Sequence, residues 1–301
     1  MIRIATRNSA LAKAQASQVA ELLGGGELVE VSSDGEVGDK ARFVRGVEQA
    51  LLAGEAEIGV HSAKDLPATM PDGLAIAAVP VREDPADVWI GVGTSFDEVP
   101  EGARVGTASP RRRAQLLAAR PDLAIGELHG NVDTRLRKLA DGEFDAIVLA
   151  AAGLRRLGRE DEASFALPAE TMTPAAGQGA LVLQARTDDE ASLGSAAAIG
   201  DATALRELTA ERAVVAALEA TCATPIGVHA KVDAGQAGDE ERTGLGSLVV
   251  EAFVGLPDGS EWIRDRVEGD VEAPAETGAV LAERLLAAGA RELLERAEAM
   301  A

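Results

Sequence analysis

The sequence predicts an α/β protein: two α/β domains followed by a smaller α+β domain. Up to about residue 200, short apolar runs alternate with amphipathic stretches and short loops, which is typical of βαβ units and mainly parallel sheets. Beyond that point, one long helical stretch and three strand-like runs favour an antiparallel sheet. The chain has 301 residues, 47% hydrophobic and 2% aromatic, so it can build sizeable cores, chiefly from Ala, Val, Leu and Ile.

The first unit is predicted to begin with a strand at 2–5. A helix capped by Ser9 should follow and end near Leu23, because apolar residues recur there at helical spacing. The polar, glycine-containing stretch 32–42 predicts a loop. The other elements expected in this unit are strands at 28–31, 56–60 and 73–79 and a helix at 43–53.

In the second unit, Ser109 and Pro110 predict a helix start, since Ser favours the N-cap and Pro the first helical position. A second helix should follow Gly130 and Asn131 and end near residue 140. The strands expected are 104–106, 124–128, 145–151 and, after the second unit, 180–184. The Gly-Gln-Gly segment at 177–179 is interpreted as a hinge or tight crossing between domains.

The third unit is predicted to contain a helix at 202–220 and one final helix over 275–299. Between them we expect antiparallel strands at 228–232, 246–256 and 261–267, with a tight turn at 257–260. We therefore expect domains at 1–80 together with 180–198, at 85–174 and at 202–301.

The net charge of −21 disfavours nucleic acid as a partner, because an acidic surface repels phosphate backbones. Lysines are few and Asp and Glu are many, which suggests a protein that works in high salt, where this repulsion is screened. An ordinary acidic cytoplasmic enzyme is the alternative. Full folding and activity at low ionic strength, with no gain on adding salt, would favour that alternative.

Sequence patterns also argue against a membrane or metal protein. The longest apolar run, 146–154, is far shorter than the ~20 residues of a spanning helix, and arginines interrupt the N-terminal stretch where a secretion signal is apolar. The only cysteine, Cys222, excludes an internal disulfide, and the scattered His61, His129 and His229 lack metal-site spacing. We expect a cytoplasmic protein with no metal and no membrane partner.

The few cations cluster at predicted strand-to-helix connections. A cation in the first turn opposes the helix dipole by ~0.3–1 kcal/mol, so these positions favour an anionic ligand over stability alone. The carboxyl ends of strands in open α/β sheets share one side, so together these loops would form a basic cleft for a ligand with several carboxylates or phosphates. A set of solvated surface arginines is the alternative. The cations are Arg7, Lys64, Arg111, Arg112 and Arg135.

Two further side chains could carry chemistry. Asp65 lies beside Lys64 at a strand end, where an ionised carboxylate could transfer a proton or stabilise a developing cation; a turn or cap before Pro67 is the alternative. Cys222 lies in a Thr/Pro/Gly-containing loop that could present its thiol for a covalent role, although a lone cysteine is more often a small buried hydrophobe.

Taken together, these residues resemble the hydroxymethylbilane synthase (porphobilinogen deaminase) family of tetrapyrrole biosynthesis. The similarity covers essentially the whole chain, in order, so it is far more specific than any one motif. The matching stretches are 3–9, 60–67, 82–85, 105–112, 130–136, 145–158, 177–180 and 218–227.

The resemblance implies two periplasmic-binding-protein-like α/β domains around a cleft, a smaller α+β C-terminal domain and a monomeric transferase. The implied reaction joins four porphobilinogen molecules head to tail, releases ammonia at each step and frees hydroxymethylbilane by adding water. It proceeds on a dipyrromethane cofactor attached by a thioether, for which Cys222 matches the attachment residue. Asp65 matches the catalytic carboxylate, which handles pyrrole N–H groups and the electron-poor species formed when ammonia leaves.

The resemblance also assigns binding residues. Those implied for the cofactor are Lys64, Ser109, Arg111, Arg112, Gly130 and Arg135, and those implied for the substrate are Arg7, Ser9, Arg156, His129, Lys40 and Phe43, the last two in a mobile loop. Three positions depart from the family pattern: His129 stands where Arg is usual, Glu36 where Lys is common, and Pro110 where Leu is usual. The alternatives are a non-catalytic two-domain protein that binds an anionic small molecule, and a regulatory sensor domain.

Overall fold

The computed structural model describes residues 1–32, 42–67, 69–221, 224–233 and 246–300. The strands in these ranges are β1 (Arg3–Arg7), β2 (Glu27–Val31), β3 (Ile58–Ser62), β4 (Leu74–Ala78), β5 (Asp87–Gly91), β6 (Arg104–Gly106), β7 (Ala124–Gly126), β8 (Ala146–Ala150), β9 (Phe165–Ala166), β10 (Leu181–Arg186), β11 (Ile226–Asp233), β12 (Ser247–Gly255) and β13 (Trp262–Asp270). The α-helices are α1 (Ala10–Leu22), α2 (Arg42–Leu52), α3 (Pro110–Ala119), α4 (Val132–Ala140), α5 (Ala151–Arg156), α6 (Glu190–Ala197), α7 (Ala202–Ala217), α8 (Pro274–Ala287) and α9 (Ala290–Ala299). The predicted α/β fold is confirmed.

The first sheet has the strand order β2-β1-β3-β10-β4. Its first three strands are parallel, and β10 runs antiparallel to both of its neighbours, so a strand from late in the sequence completes the sheet. Helix α1 starts where predicted: the Ser9 side chain accepts the backbone N–H of Ala12 at 3.2 Å. One side of the sheet packs around Ile4, Ile58 and Leu183.

The second sheet repeats this arrangement in the order β7-β6-β8-β5-β9, with β7, β6 and β8 parallel and β5 antiparallel to β8. Helices α3 and α4 begin at the predicted caps; Asn131 Oδ1 accepts the N–H of Thr134 at 2.8 Å. Strand β5 was not predicted from the sequence, although Val, Trp and Ile favour a strand, because its apolar run is only three residues long. Its Trp89 is fully buried.

Two segments cross between these sheets, one after β4 and one before β10. The second segment passes so close to its neighbours that only glycine fits at 177 and 179. A Cβ on Gly179 would lie 2.1 Å from the carbonyl oxygen of Glu83 in the first segment, and one on Gly177 would lie 2.8 Å from Ala63 Cβ, directly after β3. Both glycines have positive φ, 73° and 86° in chain order. The predicted tight crossing is therefore present at this segment.

The third sheet, β11-β12-β13, is antiparallel as predicted. It packs against α7 and α8 around a core that includes Val214, Val250 and Leu281. The expectation of one final helix is wrong. Gly289 adopts a left-handed conformation (φ 98°) that ends α8 and starts α9. In the described ranges, no helix has the length and apolar composition needed to cross a membrane.

Candidate active site

The predicted cations lie where strands of the two large sheets end. Arg7 is the last residue of β1, and Lys64 and Asp65 form a short 3-10 turn (Ala63–Asp65) directly after β3. Arg111 and Arg112 occupy the first turn of α3, which follows β6, and Arg135 lies in the first turn of α4, which follows β7. The strand-to-helix placement expected from the sequence is therefore observed.

Asp65 is partly accessible and lies near Arg7. Its Oδ2 is 3.9 Å from Arg7 Nη2, and its side chain retains 29% of its exposure. Beside this pair is a cavity of about 10 Å³, room for one water molecule, lined by Arg7, Ala12, Gln15, Val44, Val60, His61, Ser62 and Asp65. Asp65 thus combines a nearby cation with access to a ligand.

His61 forms part of this wall as a neutral ring. Burial, with a smaller contribution from Arg7, lowers the pKa of His61 to about 4, although its hydrogen bond with Gln184 acts in the opposite direction. The His61 Nε2 atom lies 2.9 Å from Gln184 Oε1. At neutral pH the ring therefore adds no charge to the site.

Lys64 is the second charged group at the end of β3. Its Nζ donates to Gln178 Oε1 at 3.3 Å. Burial and the neighbouring Arg112 lower the pKa of Lys64 to about 8, while Asp65 and Asp87 act in the opposite direction. An anion at this point would be favoured, because it would offset the repulsion that Lys64 experiences.

Arg111 and Arg112 are buried and share one counter-ion, Asp87. Arg111 Nη1 donates to Asp87 Oδ2 at 2.7 Å, and Arg112 Nε and Nη2 donate to Asp87 Oδ1 at 3.0 and 2.7 Å. Burial would raise the pKa of Asp87, but the two guanidinium groups hold it well below its usual range. These helix-start cations are therefore paired within the protein, which the sequence did not indicate.

Arg135 forms no ion pair with a carboxylate of the described residues. Its Nε donates to the Gly130 carbonyl at 2.9 Å, and burial together with Arg112 lowers its pKa to about 10. The left-handed conformation of Gly130 (φ 116°) presents that carbonyl at the start of α4. A partly buried guanidinium without a counter-ion is suited to bind a carboxylate.

Arg156 also has unused hydrogen-bonding capacity. Its Nη2 donates to the Gly179 carbonyl at 2.7 Å, whereas its buried Nε has no hydrogen-bond partner in the described structure. Burial lowers the pKa of Arg156, and Glu83 opposes that shift. A ligand carboxylate would satisfy the Nε–H donor.

The structure gives other predicted binding residues different surroundings. His129 is largely exposed, with Nε2 3.1 Å from Glu127 Oε2. The Ser9 and Ser109 hydroxyls serve as helix caps, and Ser109 Oγ accepts the N–H of Arg112 at 3.5 Å. Cys222, Lys40 and Glu36 lie outside the described residues, as does the side chain of Phe43, although Phe43 itself belongs to α2.

Sequence reasoning missed three buried polar residues beneath the site. Asp87 is the counter-ion described above, and Gln178 joins it to Lys64 by donating to Asp87 Oδ1 at 3.0 Å. Glu211, on α7, binds the crossing segment through the backbone N–H of Gly177 at 2.6 Å. The Gly-Gln-Gly pattern marked the crossing, but only long-range contacts reveal that its Gln side chain is buried and bonded.

Comparisons with known proteins confirm the family resemblance. The chain matches the family models described as "Porphobilinogen deaminase, dipyromethane cofactor binding domain" over residues 2–193 and "Porphobilinogen deaminase, C-terminal domain" over residues 205–287. The porphobilinogen deaminase of Syntrophus aciditrophicus is 43% identical, with 99% of each chain covered. That of Brevibacillus brevis is 42% identical over 97% of this chain and 96% of its own. A solved structure of a putative methionine-binding lipoprotein from Bacillus subtilis matches 64% of this chain and 87% of its own, with 14% identity and a TM-score of 0.41. The chain belongs to the porphobilinogen deaminase family.

Proposed function

We propose that this protein is a hydroxymethylbilane synthase, a transferase that joins four porphobilinogen molecules and releases one ammonia for each molecule added. The observation that carries this proposal is the position of Asp65 beside Arg7 and Lys64, within a family whose members carry this activity in their name. A carboxylate at that point can stabilise positive charge, and the cations around it can hold carboxylates.

The chain's residues fit a dipyrromethane cofactor. Residues 2–193 match the cofactor-binding domain of the family, and that range contains Lys64, Arg135 and Arg156. Each pyrrole ring bears two carboxylates. Arg156 Nε and the Arg135 guanidinium, which have no carboxylate partner among the described residues, suit such a group. When bound, the dipyrromethane supplies a tethered pyrrole to which substrate rings are added.

In this proposal the cofactor carboxylates are held by Lys64, Arg112 and Arg135, with Ser109, Arg111 and Gly130 shaping the same wall. Arg7, Ser9 and Arg156 hold carboxylates of the incoming porphobilinogen, and His129 contributes at the rim. Arg111 and Arg112 act with guanidinium planes already fixed by Asp87. A charged, hydrogen-bonded array of this kind selects polycarboxylate ligands over neutral ones.

Asp65 performs the chemical role. As the C–N bond of porphobilinogen breaks and ammonia leaves, positive charge develops on the pyrrole ring, and the Asp65 carboxylate stabilises that charge. The bound dipyrromethane would supply the carbon nucleophile that replaces ammonia. Asp65 would accept the proton released when the two rings are joined. In the last step, water takes the place of a pyrrole carbon as the nucleophile, and hydroxymethylbilane is released.

The rest of the proposal concerns residues outside the described ranges and the protein's organisation. Cys222 carries the cofactor through a thioether, and Lys40 belongs to a mobile loop over the site; Phe43, predicted in the same loop, lies instead in the first turn of α2. We assign domains to 1–80 with 180–198, to 85–174 and to 202–301, each containing one of the three sheets. We further propose a monomeric cytoplasmic protein with no nucleic-acid or membrane partner.

Intact mass spectrometry of the purified full chain tests this function. We expect a mass above that of the sequence by two linked pyrrole units, and the excess should disappear in Cys222→Ala. Incubation with porphobilinogen should release ammonia and a linear tetrapyrrole. A bare chain mass without turnover would instead favour the non-catalytic protein that binds an anionic small molecule.

A further inference from the structure

Asp87 lies fully buried at the first position of β5, beneath the candidate active site. Its Oδ2 accepts a hydrogen bond from Arg111, and its Oδ1 accepts hydrogen bonds from Arg112 and from Gln178 Nε2 at 3.0 Å. The buried carboxylate therefore accepts hydrogen bonds from three side chains.

Each guanidinium that binds Asp87 has a second anchor. Arg111 Nη1 also donates to the Thr173 carbonyl at 2.8 Å, and Arg112 Nη1 donates to the Val148 carbonyl at 2.9 Å. A planar guanidinium held at several points in a buried site has one orientation, so the directions of its remaining N–H groups are fixed as well.

Gln178 extends this arrangement to the first sheet. Its Nε2 donates to Asp87 and to the Pro85 carbonyl at 2.6 Å, while its Oε1 accepts from Lys64 Nζ at 3.3 Å. The connection passes through the tight 177–179 crossing. One carboxylate thus organises two cations of the second sheet and, through an amide, one cation of the first.

We propose that Asp87 is a positioning residue, which holds Arg111 and Arg112 in one orientation and ties Lys64 to them through Gln178. This inference rests on the proposed function, because the carboxylate-bearing cofactor is the ligand that these cations receive. One carboxylate cannot neutralise three cations, so the array keeps the positive charge that a polyanion needs. Asp87 therefore fixes geometry rather than cancelling the attraction.

The first test is the fraction of full-length chains that carry the cofactor, measured by intact mass. Asp87→Asn removes the charge, Asp87→Glu keeps it but displaces the carboxylate, and Asp145→Asn is a control, because Asp145 forms an exposed pair with Arg104 at 2.7 Å. We expect several-fold lower loading in both Asp87 variants and normal loading in the control. Normal or higher loading in Asp87→Asn would show that Asp87 only reduces local charge, and would overturn the proposal.

The second test is independent of activity. The chain has five lysines, so an NMR titration of protein labelled at the lysine side chains can follow Lys64, with its signal assigned by Lys64→Arg. The charged groups that act on Lys64 are Arg111, Arg112, Asp65 and Asp87. Lys64 should therefore titrate at lower pH in Asp87→Asn than in Asp87→Glu. Equal Lys64 midpoints in the two variants would contradict the link through Gln178.

The wild-type measurement distinguishes failure of the proposed function from failure of the role proposed for Asp87. A wild-type chain without the mass excess would contradict the proposed function itself, whereas a loaded wild type with equally loaded Asp87 variants would contradict only the role of Asp87. Thermal unfolding is recorded for every variant. If neither Asp87 variant folds, Asp87 is required for folding and the positioning role is rejected.

Discussion

Arg82 and Glu211 form a buried two-point ion pair beneath the crossing between the two large sheets. Nη1 of Arg82 lies 2.8 Å from Oε1 of Glu211, and Nη2 lies 3.2 Å from Oε2. The same carboxylate accepts the backbone N–H groups of Gly177 and of Ala230, which belongs to β11. Glu211 therefore joins α7, the third sheet and the crossing segment at one point.

Glu211→Gln should strongly destabilise the protein. The change leaves the buried Arg82 guanidinium with Glu207, at 3.4 Å, as its remaining carboxylate partner, and breaking a buried pair costs about 3–5 kcal/mol. Urea unfolding of wild type and variant would measure the difference in the free energy of unfolding. Glu261→Gln is the matched control, since the Glu261–Arg296 pair is exposed and should contribute nothing measurable. If the two variants lowered the free energy of unfolding equally, burial of the Arg82–Glu211 pair would not be the cause.

Glu211 should also make the free energy of unfolding depend on pH in the acid range. Burial would raise the pKa of Glu211, but Arg82 and His229 hold it below its usual value. Its contribution is therefore complete above the unfolded-state pKa of about 4.3 and is lost as the pH falls below that value. The free energy of unfolding should fall more steeply between about pH 5 and pH 3 in the wild type than in Glu211→Gln.

Lys64 should set an alkaline limit on cofactor loading. Since its pKa is lowered to about 8 before the cofactor binds, Lys64 loses its charge as the pH rises through that value, and the fraction of chains that take up the cofactor should fall. Lys64→Arg should move this limit to higher pH, because a guanidinium remains charged. Lys13→Arg, at an exposed pair with Glu30, should leave the profile unchanged. A profile in which both variants match the wild type would rule out Lys64 as the titrating group.

Asp65→Asn should abolish most activity while leaving the fold intact. Loss of a positioned acid–base carboxylate lowers the rate by about 10²–10⁴-fold. The contact with Arg7 at 3.9 Å is partly exposed, so its contribution to stability is at most about 1 kcal/mol. Ammonia release and thermal unfolding would be measured together, with Asp72→Asn at a nearby exposed position as the control. Retained turnover in Asp65→Asn would remove Asp65 from the mechanism.

Gly130→Ala should cost more stability than Gly142→Ala. Both glycines have positive φ, 116° and 76°, but a Cβ on Gly130 would lie 2.8 Å from Thr134 Cγ2, whereas nothing lies within 4 Å at Gly142. We expect losses of about 3 and about 1 kcal/mol in the free energy of unfolding. Because the Gly130 carbonyl holds Arg135, Gly130→Ala should also raise KM for porphobilinogen. An unchanged KM would show that the hydrogen bond from Arg135 to the Gly130 carbonyl does not assist substrate binding.

His129→Arg should leave activity intact or raise it. The His129 side chain is 76% exposed and pairs only with Glu127 among the ion pairs of the described residues, so a longer guanidinium can be accommodated. A guanidinium fork binds carboxylates more firmly than imidazole. Steady-state kinetics with porphobilinogen would measure the effect, and a large loss would reveal a role for the imidazole that its exposed position does not explain.

The sequence alone determined the helix starts and the placement of cations beside them. Three helices begin at a capping side chain that accepts the backbone N–H of the residue three positions later. The caps are Ser9, Ser109 (followed by Pro110) and Asn131, and each signal is local in the sequence. The family resemblance likewise needs only motifs in order along the chain.

Tertiary structure decided which of those cations have an internal partner. Asp87 is 24 residues from Arg111, and Gln178 is 114 residues from Lys64, so these contacts exist only after the sheets and their crossing have formed. The completion of the first sheet by β10 is equally non-local. Local sequence sets backbone conformation over a few residues, whereas burial and ion pairing depend on which distant segments the fold brings together.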